Sequence, residues 1–519
     1  MKLADYLDRG VFINPEGVCF ITEGEEMTYT QVQELTYRIA NGLLDAGMGK
    51  DSHIAILSPN DPRAFSCVLG LSRTGATWVP INPRNGLEEN HYILDAFDCN
   101  VLFYHSNYAE LVHELRPRLP KIQLYVCLDQ EDEGAPAFDD WAASFPPTPV
   151  DVISRGDDMA MLAGTGGTTG KPKGVMLTNQ NLETFIALTL LSAPHNDETP
   201  VYLALAPLTH AAGVLTFPIL ALGGATVIMP KADLSKFLHH IETYRVTTTF
   251  LPPTVIYMLL EHPEVHEIDY ASLKYFWYGA APISAVKLKQ AIETFGPVMT
   301  QFYGQTEAPM LITYLSPQEH FAEDGGYAEQ RLRSCGRPTP LVRVGIMDDD
   351  GDFLPAGQRG EIVVQGSLVM PGYYKNKDAT ASAFSDGWLR TGDVGYFDDE
   401  GYLYLVDRKK DLIITGGFNV FSAEVEQAVL QHPSVQDCAV VGLPHEKWGE
   451  MVVAVVQLRE GYELDEMAII KFCKERIGSV KSPKRVFAMP DLPRSAVGKV
   501  LKRDIRQQLS GVAEAFLRD

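Results

Sequence analysis

Through the first 300 residues, short apolar runs rich in β-formers alternate with stretches of helical periodicity. No other feature limits the fold so tightly. His53-Ile54-Ala55-Ile56-Leu57, Val101-Leu102-Phe103-Tyr104 and Ala225-Thr226-Val227-Ile228-Met229 read as buried strands. Between them, residues 31–47 and 234–244 place apolar positions on one helical face. Strands and helices in alternation build parallel sheets wrapped by helices. A chain of 519 residues exceeds a single hydrophobic core, so roughly two to four domains are expected.

Between residues 336 and 406 the texture shifts to short β runs separated by turns such as Asp348-Asp349-Asp350-Gly351 and Asp398-Asp399-Glu400-Gly401. That pattern predicts a small antiparallel sheet or barrel. After Asp407-Arg408-Lys409-Lys410-Asp411 it resets to an α+β unit of about 110 residues, enough for a domain of its own. The expected organisation is an α/β multidomain chain. Residues 1–407 form a large domain of parallel sheets, helices and a small barrel-like part, 408–411 a hinge, and 412–519 a small mobile α+β domain.

Formal net charge is −23, which would be repelled by a phosphate backbone and argues against nucleic-acid binding. The seven cysteines are scattered without a Cys-x-x-Cys pair, as in a reducing cytoplasm rather than a disulfide framework or zinc site. The N-terminal residues carry no apolar signal-peptide core. Residues 201–230 lack any charge save that of His210 and are long enough to span a bilayer. Pro207, Pro218 and Gly223-Gly224 break them up, which predicts a buried helix between core strands. That reading leaves room for peripheral membrane contact, and the oligomeric state stays open between monomer and homodimer.

The sharpest motif is Thr165-Gly166-Gly167-Thr168-Thr169-Gly170-Lys171-Pro172-Lys173-Gly174. Glycines free the backbone to curl, so that N–H groups and threonine hydroxyls can surround an anion, and Lys171 and Lys173 add positive charge. It is not a Walker A loop, because Pro172 follows Gly170-Lys171, and no dinucleotide fingerprint can be read in it.

This loop resembles the phosphate loop of the acyl-adenylate-forming (AMP-binding) superfamily, with Gly166 where the usual form has serine, as in the fatty-acyl-CoA synthetase branch. Further motifs follow in family order across nearly the whole chain. Tyr278-Gly279-Ala280-Ala281-Pro282 resembles the adenine-contacting strand end. Gln301-Phe302-Tyr303-Gly304-Gln305-Thr306-Glu307 resembles the Tyr-Gly-x-Thr-Glu motif, and Trp388-Leu389-Arg390-Thr391-Gly392-Asp393 the ribose-binding Thr-Gly-Asp. The hinge run 407–411 with Gly416-Gly417-Phe418-Asn419-Val420, and finally Pro493-Arg494-Ser495-Ala496-Val497-Gly498-Lys499, complete the series.

The resemblance implies roles. Residues 165–170 and Lys173 would cradle the ATP phosphates, and Glu307, with the Thr165 hydroxyl, would hold Mg²⁺. Gly279, Ala280, Ala281, Phe302, Tyr303, Gly304, Gln305 and Thr306 would line the nucleotide, Asp393 would accept from the ribose hydroxyls, and Arg408 would meet ribose or α-phosphate. Lys499 would bridge the substrate carboxylate and the α-phosphate, and Lys410 would be the pivot. Gly416, Gly417 and Phe418 would border a coenzyme A channel. His210, Ala211, Val214, Tyr278 and Pro309 would line the acyl pocket.

These expectations describe an ATP-dependent, AMP-forming acyl-CoA ligase of the cytoplasm, acting on a carboxylic acid, ATP and coenzyme A. Alternatives are a stand-alone adenylating enzyme that serves a carrier protein and a non-enzymatic nucleotide-binding protein. Residues 207–213 carry no acid to hold a substrate ammonium, and the 20 residues after Lys499 are too few for a carrier domain. The pocket segments 211–217, 278–281 and 308–314 contain no Arg or Lys, so an apolar acid is expected, either a medium- or long-chain fatty acid or an aryl or alicyclic one.

Overall fold

The computed structural model describes the chain apart from residues 151, 166–170, 197, 209–210, 495–499 and 514–519, and apart from the side chains of 211, 212 and 510–513. Packing divides it into two compact units, residues 1–344 with 364–389, and residues 345–363 with 390–519.

Two large sheets organise the first unit. The nine-stranded sheet runs Arg337–Pro338, Ala308–Leu315, Met299–Gln305, Tyr275–Tyr278, Thr248–Leu251, Val201–Ala204, Ala225–Ile228, Val18–Thr22 and Glu25–Thr28. The strands from Met299–Gln305 to Val18–Thr22 pair in parallel, while Arg337–Pro338, Ala308–Leu315 and Met299–Gln305 at one end and Glu25–Thr28 at the other pair antiparallel. Helices Leu234–Thr243, Pro253–Leu260 and Ala285–Phe295 cover one face, burying Phe237, Ile241, Ile256, Leu288 and Ile292 against Leu203, Leu251 and Phe276. The seven-stranded sheet orders Gly372–Tyr373, Lys173–Thr178, Met159–Thr165, Thr77–Pro80, His53–Leu57, Cys99–Tyr104 and Leu124–Cys127, antiparallel over its first three strands and parallel from Met159–Thr165 onward. Every residue of His53–Leu57 is buried, as a strand covered on both faces requires.

The apolar stretch 201–230 folds as the expected helix between strands, except that Pro218 does not break it. Strand Val201–Ala204, helix Ala211–Ala221 with Pro218 inside it, and strand Ala225–Ile228 succeed one another. Among the described residues no helix is long and apolar enough to cross a membrane. All seven cysteines are buried and none forms a disulfide.

Strands Val342–Met347, Gly360–Gly366, Trp388–Phe397, Phe384–Ser385 and Leu403–Arg408 make a small sheet. In the second unit, Phe418–Val420, Ile413–Thr415, Gly449–Leu458, Val435–His445 and Arg485–Ala488 form another. The valine-rich strands of this sheet bury both faces. Val440, Val452, Ala454 and Val456 pack with Val425 and Ile469 on one side, and Ala439, Val441, Val453 and Val455 with Ile505 and Leu509 on the other. Period-two alternation sorts them. The fold is thus α/β in the large part and α+β in the small one.

Candidate active site

The phosphate-loop motif closes an antiparallel hairpin. Thr165 ends strand Met159–Thr165, Lys173 opens strand Lys173–Thr178, and the two are in register. Thr165 Oγ1 reaches the Lys173 carbonyl at 3.4 Å. Residues 166–170 lie outside the described residues. Helix Asn179–Ser192 starts straight after the hairpin, capped reciprocally by Thr178 and Asn181. The Asn181 amide then donates to the Ser367 and Val369 carbonyls, both at 2.9 Å, tying in the segment that leads to Tyr373.

Glu307 sits with Thr306 in the two-residue turn joining Met299–Gln305 to Ala308–Leu315, where Gln305 pairs with Ala308. The Tyr373 hydroxyl donates to Glu307 Oε1 at 2.8 Å, and the Lys173 ammonium stands 4.1 Å from the centre of the same tyrosine ring. Burial, then the Glu307 charge, pushes the Tyr373 hydroxyl well above its ordinary value, so it stays a donor. One aromatic ring therefore joins the root of the phosphate loop to the candidate metal carboxylate. Among the described residues, no cluster of three or more His, Cys, Asp or Glu gathers to hold an ion. A single hard carboxylate suits Mg²⁺ brought in on phosphate oxygens, since that ion keeps few protein ligands.

Strand Tyr275–Tyr278 leads into Gly279 and Ala280. A Cβ on Gly279 would stand 2.8 Å from the Phe302 carbonyl, so the two motifs touch through backbone that only glycine permits. Ala280 holds φ of 66°, an uncommon left-handed conformation outside glycine and one that clusters at ligand sites. A Cβ on Gly304 would meet the Met310 nitrogen at 2.5 Å. Phe302 is buried against Phe250 and Trp277, Tyr303 is also buried, and the Gln305 side-chain nitrogen is buried with no described partner.

Strand alternation separates two neighbours here. Tyr278 turns into the core beside Leu288 and Ile292, with its hydroxyl 3.2 Å from Gln301 Oε1 and 3.0 Å from His320 Nε2. Trp277 faces the opposite way and, with Leu215, Pro218, Ile219, His195 and Thr248, lines a small apolar cavity. Val214 and Pro309 are buried, and Ala211 begins helix Ala211–Ala221.

In the second unit Asp393 and Arg408 are cross-strand partners, with Arg408 Nε 2.7 Å from Asp393 Oδ1. The Asp393 amide donates to Thr391 Oγ1 at 3.1 Å, and Thr391 in turn donates to the Ile362 carbonyl at 2.7 Å. Lys409, Lys410 and Asp411 make a 3₁₀ turn directly after strand Leu403–Arg408. Gly416 and Gly417, at φ of 58° and 81°, form the tight turn of the hairpin Ile413–Thr415/Phe418–Val420, and Phe418 is exposed at its end. Two positive φ angles in sequence demand such residues.

The sequence signature of the AMP-binding enzyme family matches residues 7–374, and that of its C-terminal domain residues 424–499. The chain belongs to the AMP-binding enzyme family. A medium/long-chain-fatty-acid–CoA ligase of Mycobacterium tuberculosis is 38% identical over 476 residues, 89% of this chain and 82% of that protein. An indoleacetate–CoA ligase of Aromatoleum aromaticum is 33% identical over 98% of each. Among solved structures, the amide bond synthetase McbA of Marinactinospora thermotolerans superposes with a TM-score of 0.88 at 29% identity, covering 98% of this chain and 99% of its own.

Within this AMP-binding enzyme, the structure brings together Thr165, Lys173 and Glu307, joins Gly279 to Phe302, and pairs Asp393 with Arg408. His210 and Lys499, like residues 166–170, lie outside the described residues. Tyr373 was not among the residues singled out by sequence. The only local signal is Gly372-Tyr373-Tyr374, a glycine before two aromatics, which many buried turns share.

Proposed function

We propose that this AMP-binding enzyme is an acyl-CoA ligase. It activates an apolar carboxylic acid with ATP to acyl-adenylate and pyrophosphate, then passes the acyl group to coenzyme A. The observation that carries the nucleotide half is the Lys173–Tyr373–Glu307 grouping at the root of the phosphate-loop hairpin. Two anions must meet when a carboxylate attacks the α-phosphate, so catalysis rests on positioning and charge neutralisation. Bound Mg²⁺ would neutralise phosphate charge beside Glu307 and Thr165. Lys173 and the loop amides 166–170 would hold the phosphates, and Lys499 would steady the carboxylate against the α-phosphate. Asp393 would receive the ribose hydroxyls beside its ion pair with Arg408. Residues 408–411 are the hinge between 1–407 and 412–519 in this reading, and Gly416, Gly417 and Phe418 border the thiol's path.

The acid is held on apolar surface. Residues 211–217, 278–281 and 308–314 offer no Arg or Lys, and Val214, Leu215, Phe217, Ala308, Leu311 and Ile312 are buried. A second carboxylate there would lose its hydration without a partner. His210 would stand near the substrate carboxylate. The reading also places the enzyme in the cytoplasm.

Pyrophosphate release across a panel of acids, with and without coenzyme A, tests this. Fatty or aryl acids with no second charge should drive release, and the thioester should accumulate when coenzyme A is present. Malonate or succinate as the preferred acid would overturn the pocket reading. An amine that outcompetes coenzyme A as acceptor would overturn the ligase assignment.

A further inference from the structure

We infer that Tyr373 is a positioning residue for the metal–nucleotide complex, setting the Glu307 carboxylate and the base of the phosphate loop in one fixed relation. The inference rests on the ATP-dependent reading above and gives Tyr373 a role of its own, which that reading left unassigned. Tyr373 spends its two chemical faces on two different parts of the site. Its hydroxyl donates to Glu307 Oε1 at 2.8 Å, and its ring lies 4.1 Å from the Lys173 ammonium, the first residue of the strand leaving the loop. Glu307 Oε2 has no partner among the described residues, so the carboxylate presents one anchored oxygen and one available to a hard cation.

The tyrosine is itself held on every side. Its Cα is in register with Val175 on strand Lys173–Thr178, and its amide donates to Thr380 Oγ1 at 2.9 Å. Gly372 before it holds φ of 153°, and a Cβ there would stand 2.7 Å from Thr380 Cγ2, so the close approach needs glycine. Tyr374 after it donates through its amide to the Gly174 carbonyl and through its hydroxyl to Asp98 Oδ2, each at 2.8 Å, while Lys375 pairs with the same carboxylate. The Met370 amide donates to the Glu307 carbonyl at 2.8 Å, so residues 370–375 grip both the metal turn and the strand that leaves the loop. A ligand whose rotamer is fixed in advance loses less entropy when the ion arrives, and that is what such support contributes.

The hydroxyl and the ring can be separated by substitution in the full chain. Tyr373→Phe keeps the ring over Lys173 and removes the hydrogen bond to Glu307, whereas Tyr373→Leu removes both. Mn²⁺ binding in the presence of ATP, followed by loss of the free-ion paramagnetic resonance signal, reads the metal site without turnover. ATP binding in EDTA, by calorimetry, reads the loop alone. Tyr373→Phe should weaken Mn²⁺ binding about tenfold, the usual worth of a hydrogen bond to a charged group. It should leave ATP binding in EDTA and the KM for the acid unchanged. Tyr373→Leu should weaken ATP binding in EDTA as well. Unchanged Mn²⁺ binding in Tyr373→Phe overturns the inference. So does equal weakening with and without the ion alongside a lowered melting temperature, since that marks a merely structural residue. The wild type's own Mn²⁺–ATP binding tests the underlying ATP reading separately, because its absence would remove that reading whatever the variants do.

Discussion

His320 shows how much a single buried side chain can depend on pH. Its Nε2 lies 3.0 Å from the Tyr278 hydroxyl and its Nδ1 2.8 Å from the Ser316 carbonyl. Burial pulls its pKa from an ordinary 6.5 to about 4, only partly opposed by the Ser316 and Pro317 backbone. The unfolded chain therefore takes up a proton below 6.5 that the folded chain refuses until about 4. Stability from this group is complete above pH 6.5 and falls as the pH drops towards 4, by on the order of 3 kcal/mol. Denaturant midpoints at neutral and mildly acid pH should differ less for His320→Gln than for the wild type, and parallel losses would contradict the account. Lys499→Ala should cripple adenylation yet leave transfer from preformed acyl-adenylate to coenzyme A largely intact, because only the first step sets a carboxylate against a phosphate. Near-normal pyrophosphate exchange in that variant would sink the role. At this scale the sequence was partly legible. Thr165, Lys173 and Glu307 stand out through their motifs, whereas Tyr373 matters only because folding brings it to Glu307 and Lys173, 66 residues or more away in the chain. Tyr278 was visible as an aromatic at a strand end, but the face it occupies depends on sheet register, which turns Trp277 rather than Tyr278 to the apolar cavity.

Among the elements, those with strong periodicity appear close to their expected bounds. Residues 31–47 become helix Tyr29–Asp45, and 234–244 become Leu234–Thr243. What could not be read from the sequence is how elements clasp the segment around Lys410. Asp407 accepts from Ser422 Oγ at 2.8 Å and from the Ala423 amide at 3.3 Å, at the start of helix Ser422–Val429. Lys502, at the start of helix Lys502–Ala513, donates to Ser422 Oγ at 2.6 Å and pairs with Glu426 at 2.8 Å. Four residues on, Arg506 donates to Asp411 at 2.9 Å. Both flanks of the 3₁₀ turn are thus tied, Asp411 directly and Asp407 through Ser422, to the helix Lys502–Ala513, so a pivot at Lys410 would have to release one of these ties as it turns. Hinges work by concentrating a φ/ψ change in a few positions. Proline suits the φ range of a 3₁₀ turn and would lock it. Lys410→Pro should fold and should form acyl-adenylate at close to the normal rate, while acyl-CoA formation falls by on the order of a hundredfold or more through loss of a positioned thiol. Single-turnover measurement of each step decides this, and equal slowing of both, or of neither, rules out the pivot.

Over the whole molecule, the alternation of β runs and helices was enough to anticipate parallel sheets in the large part and an α+β sheet in the small one. It could not anticipate that packing would join residues 345–363 to 390–519, because that grouping depends on long-range strand pairing. The central claim concerns the chemistry of the entire chain: a carboxylate oxygen attacks the α-phosphate, pyrophosphate leaves, and the coenzyme A thiol then displaces AMP from the acyl carbon. The carboxylate oxygen that formed the bond to phosphorus must therefore depart with AMP. An apolar acid labelled with ¹⁸O in both carboxylate oxygens, incubated with ATP, Mg²⁺ and coenzyme A, makes that atom visible by mass spectrometry. The account predicts one ¹⁸O in AMP for each acyl-CoA formed, with the other retained in the thioester carbonyl. Unlabelled AMP, or ADP and phosphate as products, would contradict it.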